Sequence, residues 1–240
     1  MFFESTAKTG LKDIGKNNLI KNETILEILE NMGGEHSNKV GYGALDIDKT
    51  GLSWILLDWK VQVIKRPIYS EELKIKTWGR CFQKASTYRD FEVYDSKGNL
   101  AIIATSKWAM MDLEKRSIIR LNDEIKNVYE PEEVRVFEEE ILEKLFIPES
   151  FVNEFSYTVG RKDIDLNNHM HNVYYMNLAY EAFPEDVYQN MPYDNFRITY
   201  KKEIALGDTV VVKYTNIDGK HYVVIENKEK NIVNAIIECY

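Results

Sequence analysis

KDIDLNNHMHNVYYMNLAYE, residues 162–181, repeats in outline a stretch near the start of the chain, KDIGKNNLIKNETILEILE at 12–30. The two align at an offset of 150, so that Asn17 meets Asn167 and Asn22 meets Asn172. Downstream, RPIYSEELKIKTW at 66–78 resembles EIALGDTVVVKY at 203–214, now at an offset of 137. Two ordered stretches of self-similarity point to an internal duplication.

Each half reads as a helix followed by antiparallel strands. In the first, Ile25, Leu26, Ile28, Leu29 and Met32 have helical spacing, Asn22 is a good N-cap, and Gly33-Gly34 is the expected stop. Strand-type runs follow at 52–66, 73–79, 86–94 and 100–113, with Asp95-Ser96-Lys97-Gly98-Asn99 as a hairpin turn. Residues 122–150 are acidic, contain Pro131 and Pro148, and read as a linker with some helix. In the second half a strand near 154–159 leads to a helix from about 172 to 183. Strands then follow at 196–203, 209–216, 221–227 and 232–239, with a hairpin turn at Asp218-Gly219.

The second helix is apolar nearly all round, and such a helix should be buried nearly all round. A curved antiparallel sheet wrapped about it achieves this. The expected class is therefore α+β, a tandem (double) hot-dog fold with each half a curved antiparallel sheet around a central helix. Its domains are 1–121, a linker 122–150, and 151–240.

The stretch RKDIDLNNHMHN at 161–172 also carries the chemistry. Asp165, Asn167 and His169 alternate, so on an extended strand end their side chains fall on one side. Imidazole exchanges a proton near neutral pH, and a helix N-terminus adds a positive end immediately behind. Taken singly, these are also ordinary turn and capping residues.

Composition narrows the classes. With 31 basic and 39 acidic residues the chain carries a formal net charge of −8. That argues against nonspecific nucleic-acid binding, which needs Lys and Arg against phosphates. Two cysteines, Cys81 and Cys239, form no disulfide scaffold, and the scattered histidines show no metal-ligand spacing. No run approaches the ~18 apolar residues of a spanning helix, and residues 1–20 lack a signal-peptide core. The expectation is a cytoplasmic protein with no metal, cofactor, nucleic acid or membrane partner.

At these residues the second half resembles the acyl-ACP thioesterases, whose motif D-x-D-x-N-x-H-x-x-N precedes the hot-dog helix. Asp163, Asp165, Asn167, His169 and Asn172 match it in place, and YKKE at 200–203 matches the family's later Tyr-basic-basic-Glu run. In the first half the Trp54–Trp59 strand and ATSKWAMM at 104–111 echo the family as well, so the resemblance covers roughly residues 10–227. One departure matters: where plant members often have Cys after the Glu, this chain has Ile204. A Cys–His mechanism at that position is excluded, and Cys81 and Cys239 match no catalytic position of the family.

The resemblance implies hydrolysis of fatty acyl-[acyl carrier protein] to free fatty acid and ACP in fatty acid biosynthesis, with no cofactor. It implies Asp165, Asn167, His169 and Glu203 as catalytic residues. In that reading Asp165 orients the imidazole, Glu203 positions or deprotonates water, and Asn167 binds water or the developing oxyanion. Water attack and a covalent anhydride through Asp165 or Glu203 both fit. Opposite Asp165, His169 and Glu203 the first copy has Gly15, Leu19 and Arg66, which implies one active site per chain and an acyl-binding first half. Tunnel candidates are Ile25, Leu26, Leu29, Met32, Trp54, Trp59 and Trp108. An acidic carrier needs a basic face, for which Arg161, Lys162, Arg197, Lys201 and Lys202 are candidates, with Lys213 nearby. Duplication satisfies sheet pairing internally, so a monomer and a homodimer both fit. Rival readings are an acyl-CoA thioesterase, a hydroxyacyl-ACP dehydratase and a non-catalytic acyl-binding module.

Overall fold

The computed structural model describes residues 1–15, 17–80, 82–165 and 167–240, in two compact units, Met1–Leu142 and Glu143–Tyr240. Cys81 lies outside the described residues.

The first unit contains β1 (Phe3–Lys8), α1 (Asn22–Lys39), a short α2 (Ile47–Thr50), β2 (Leu52–Val63), β3 (Glu72–Arg80), β4 (Thr87–Tyr94), β5 (Leu100–Asp112), β6 (Ser117–Ile118) and α3 (Asp123–Tyr129). Its sheet is antiparallel, ordered β1-β3-β4-β5-β2, with β6 added to β5. The second unit contains β7 (Asn153–Thr158), α4 (Tyr174–Ala182), α5 (Glu185–Gln189), β8 (Asn195–Tyr200), β9 (Thr209–Ile217), β10 (Lys220–Asn227) and β11 (Ile232–Cys239). Its order is β7-β9-β10-β11-β8, again antiparallel. Matched strand for strand the two orders are the same, and each unit is a sheet with its helix packed on one face. The tandem hot-dog architecture expected from the repeat is the one observed.

Most strands form where expected, because apolar residues recur along them and turn residues separate them; β1 was not expected, and β2 and β8 each end three residues early, which leaves Glu203 just beyond β8. Asp218 and Gly219 take φ of 51° and 81°, the paired left-handed conformations a two-residue hairpin requires. The Asp95 carboxylate accepts N–H bonds from Lys97 and Asn99, both at 2.9 Å, closing the β4–β5 turn. Val212, Ile225 and Ile237 are fully buried, each stabilising by about 1.5–3 kcal/mol.

Both helices depart from expectation. Helix α1 runs through Gly33-Gly34 and stops before Gly41, whose φ is +82°. Gly33 is not a stop signal: it lies inside α1, buried against the Arg89 side chain of β4, which a Cβ there would meet at 3.4 Å, an ordinary contact. Asn22 is the first residue of α1, inside it and buried; the cap position is Lys21. Helix α4 begins at Tyr174, two residues later than expected, with Val173 as its cap. Nor is α4 buried all round, since Tyr174, Asn177 and Glu181 form an exposed stripe. Part of 122–150 is core: Ile125 and Tyr129 of α3 pack with Met110 and Leu121.

Candidate active site

The loop before α4 is built on Asp163. Its buried carboxylate accepts hydrogen bonds from the Gly160 N–H (2.8 Å) and the Tyr157 hydroxyl (2.7 Å), and its carbonyl accepts from the His171 N–H (2.9 Å). Asp13 repeats this in the first copy, accepting from the Gly10 N–H at 2.7 Å and, through its carbonyl, from Lys21 at 3.0 Å. A group kept in both copies is a brace. Within it, the Asp165 N–H donates to the His169 carbonyl (2.9 Å) and the Asn168 N–H to the Asp165 carbonyl (3.1 Å). Asn168 has φ of 62° and its counterpart Asn18 has 57°, a left-handed conformation that Asn tolerates better than most residues. The paired asparagines of the repeat thus shape the loop in both halves.

This loop crosses the segment leaving β8. His169 pairs with Ala205 in an isolated bridge, and the Met170 N–H donates to the Ile204 carbonyl at 2.8 Å. The crossing brings Nε2 of His169 to 3.4 Å from Oε1 of Glu203. Both side chains remain open to solvent, 30% and 55% exposed, while Met170 and Ile204 beneath them are buried. The first copy has the same crossing with other chemistry. Leu19 pairs with Ile68, the Ile20 N–H donates to the Pro67 carbonyl (2.9 Å), and the Arg66 guanidinium donates to the Ile20 carbonyl at 2.9 Å.

Asp165 is not placed as the orienting acid of a triad. Its Oδ1 accepts the backbone N–H groups of Asn167 (2.8 Å) and His169 (3.2 Å), and among the described residues it makes no hydrogen bond to the His169 ring. It orients the imidazole indirectly, by fixing the peptide that carries it. Asn167 is exposed on the same turn, and its side-chain amide is not engaged by the described residues. The start of α4 has fewer open N–H groups than expected. Those of Tyr174, Tyr175 and Met176 already donate to the carbonyls of His171, Asn172 and Val173. The Asn167 side-chain amide is left open to solvent on this loop.

Tyr175 is a neighbour that the motif did not single out. Its phenol is buried in α4, facing the Ile204 N–H, and burial together with the Glu203 and Asp165 carboxylates pushes its pKa up. The repeat contained a signal for it: Tyr175 lies opposite Ile25.

Of the basic candidates, Arg161, Lys162, Lys201 and Lys202 are exposed around this site. Arg197 is not open in the same way, because it donates to the Glu143 carbonyl at 2.8 Å. Lys213 pairs with Glu226 at 2.5 Å. Among the tunnel candidates Ile25, Leu26, Leu29, Met32 and Trp59 are buried, while the Trp54 indole donates to the Tyr129 hydroxyl and that of Trp108 to Ser106. Cys239 is fully buried, and burial pushes its thiol pKa up, which leaves it unreactive. Among the described residues no cluster of His, Cys, Asp or Glu is arranged to hold a metal ion, and no helix is long and apolar enough to cross a membrane.

Residues 1–129 match the family model of the acyl-ACP thioesterase N-terminal domain, and residues 148–238 that of its C-terminal domain. The chloroplastic oleoyl-acyl carrier protein thioesterase 1 of Arabidopsis thaliana is 26% identical, covering 82% of this chain and 59% of that protein. The chloroplastic dodecanoyl-[acyl-carrier-protein] hydrolase of Cinnamomum camphora is 22% identical over 91% of this chain and 60% of its own. The chain thus spans about three fifths of the length of these plant relatives. Among solved structures, an acyl-ACP thioesterase from Bacteroides thetaiotaomicron has a TM-score of 0.86 at 21% identity, covering 99% of this chain and 96% of that one. The 12:0-ACP thioesterase from Umbellularia californica also has a TM-score of 0.86, at 18% identity and the same coverage. These likenesses establish the fold, and the two domain matches, which together span nearly all of it, establish that the chain belongs to the acyl-ACP thioesterase family.

Proposed function

We propose that the protein hydrolyses the thioester of fatty acyl-ACP, releasing free fatty acid and the carrier thiol, as a cytoplasmic step of fatty acid biosynthesis. The observation that carries this reading is the approach of His169 to Glu203 in one copy of the fold, where the other copy has Leu19 and Arg66.

A water held between Glu203 and His169 loses a proton to this pair as its oxygen bonds to the carbonyl carbon. The oxyanion is met by the Asn167 amide. Collapse breaks the C–S bond, and the proton returns to the departing thiolate. Thiolate is a good leaving group, so most of the catalytic demand falls on delivering water and stabilising the oxyanion. Asp165 keeps the loop closed and His169 in place. The first unit, with its apolar α1 face and no carboxylate–imidazole pair, accommodates the acyl chain. The exposed Arg161, Lys162, Lys201 and Lys202 receive the acidic carrier.

Release of free thiol from acyl-ACP, followed for the wild type and for His169→Ala and Glu203→Ala, tests this. Turnover that is lost in both variants is the expected result; undiminished turnover in either removes that residue from the mechanism. Running the same assay on acyl-CoA separates the carrier from the chemistry. A higher kcat/KM for acyl-CoA than for acyl-ACP would replace the proposed substrate while leaving the site in place.

A further inference from the structure

Both copies carry a β-bulge at the same point of the sheet. On β5, Val93 faces Ile102 and Tyr94 faces Leu100, which leaves Ala101 as the extra residue. On β11, Ile225 faces Ala235 and Glu226 faces Val233, which leaves Asn234. In each copy the carbonyl of the bulged residue accepts two consecutive N–H groups from the neighbouring chain. Ile64 and Lys65 donate to Ala101 at 2.8 and 3.0 Å; Lys201 and Lys202 donate to Asn234 at 2.8 and 3.2 Å. This backbone clamp asks nothing of the bulged side chain, as Ala101 demonstrates.

The side chain is where the copies differ. Asn234 is 2% exposed, and its Nδ2 donates to the carbonyls of both Lys202 and Glu203, each at 3.2 Å. Ala101 can make neither bond, and the residue opposite Glu203 in its copy is Arg66. The second copy has therefore added a pair of hydrogen bonds at the residue where it has also acquired a carboxylate.

We propose that Asn234 is a positioning residue for the reaction, fixing the backbone of Glu203 so that its carboxylate stays within reach of His169. This deepens the reading above and rests on it. Bulges beside functional sites commonly re-aim a side chain, and here the bulged residue grips the peptide that carries the reacting group. Downstream of Glu203 the chain is pinned by the Met170–Ile204 bond and the His169–Ala205 bridge; upstream and at its own carbonyl it is pinned by Asn234. With both sides held, a half-exposed glutamate keeps its Cα fixed and has only its own rotamers left to sample. The Asn234 Oδ1 is buried with no hydrogen-bond partner among the described residues. An unpaired buried acceptor costs folding stability, so Asn is a poor choice here for stability alone, and alanine serves the other copy.

The test is a double-mutant cycle read by steady-state hydrolysis of acyl-ACP. Asn234→Ala is expected to fold, since Ala101 occupies the same bulge, and thermal midpoints confirm this for each variant. The expected result is a fall in kcat of about 10- to 100-fold with KM nearly unchanged, the loss typical of a misplaced reacting group. On a Glu203→Ala background the same substitution should change kcat by less than about twofold. Asn234→Leu keeps most of the volume without either N–H donor, and repeats the comparison if the alanine variant melts early. Wild-type kcat in Asn234→Ala, or an equal fold loss with and without Glu203, overturns the proposal while Glu203→Ala remains slow. Wild-type kcat in Glu203→Ala instead overturns the catalytic assignment of Glu203, and the positioning role falls with it.

Discussion

Nε2 of His169 and Oε1 of Glu203 stand 3.4 Å apart at a crossing of two loops whose backbones are bonded to each other. Neither side chain is held by burial, and both face solvent. Their proximity is a property of the main chain, set by the Asp163 brace, the left-handed Asn168 and the pairing of His169 with Ala205. The first copy retains every one of these backbone features and has lost the titratable groups. Fold and chemistry are therefore separable in this protein, and substitutions at the two levels should have different consequences.

Replacing the reacting groups should abolish turnover without unfolding the protein. His169→Ala and Glu203→Gln are each expected to lower kcat by roughly 10²–10⁴-fold, with thermal midpoints near that of the wild type. Because the two act on one water, the double variant should be little slower than the worse single variant. Multiplicative losses in the thiol-release assay would show that they act independently.

Replacing the residue that shapes the loop should do both kinds of damage. Asn168→Gly keeps the left-handed conformation available and should retain most activity. Asn168→Val forces a β-branched residue to φ near +62° and should cost about 1–2 kcal/mol of stability while displacing His169. Denaturation midpoints and kcat measured on the same two variants would check this, and a valine variant as active as wild type would contradict the role given to Asn168.

How much of this could be read beforehand follows the same division. The duplication, most of the strands and the hairpin turns were legible because they depend on local alternation and turn chemistry; β1 and the early ends of β2 and β8 were not. The pairing of Glu203 with His169 was legible through the ordered motif. What could not be read was set by contacts between distant segments. Gly33-Gly34 has the form of a helix stop, and only the packing of α1 on the sheet, with Gly33 buried against Arg89, shows that the helix runs on. Asp165 has the form of a triad acid, and only the loop's closure shows its oxygen taken up by backbone N–H groups. Asn234 lies in a strand with no motif around it; its importance appears only when the two bulges are compared.

The exposed basic residues should govern the encounter with the carrier more than the chemistry. Lys201→Glu with Lys202→Glu is expected to lower kcat/KM for acyl-ACP several-fold at low salt, with the deficit shrinking as ionic strength rises. Hydrolysis of a small acyl thioester lacking the carrier should be unaffected. A deficit of the same size on both substrates would place these lysines in the chemical step instead.

The core of the first unit holds a histidine whose charge folding suppresses. His36 is completely buried in α1, its Nδ1 2.8 Å from a guanidinium nitrogen of Arg89 and its ring stacked on Phe3. Arg89 can only donate, so Nδ1 accepts and the neutral ring carries its proton on Nε2. Burial, reinforced by the charge of Arg89, lowers the His36 pKa from its ordinary 6.5 to about 3. Between these values the unfolded chain takes up a proton that the folded chain refuses, so stability rises with pH across that window. The contribution is complete above about pH 6.5 and is lost progressively as the pH falls toward about 3. His36→Gln keeps an acceptor for Arg89 but cannot titrate. Chemical denaturation at several pH values between 7 and 4 should therefore show a shallower acid loss for the variant, even if it is less stable at pH 7. Parallel curves for the two proteins would mean that His36 does not titrate differently in the folded and unfolded states, and that the acid sensitivity of the fold lies in its carboxylates.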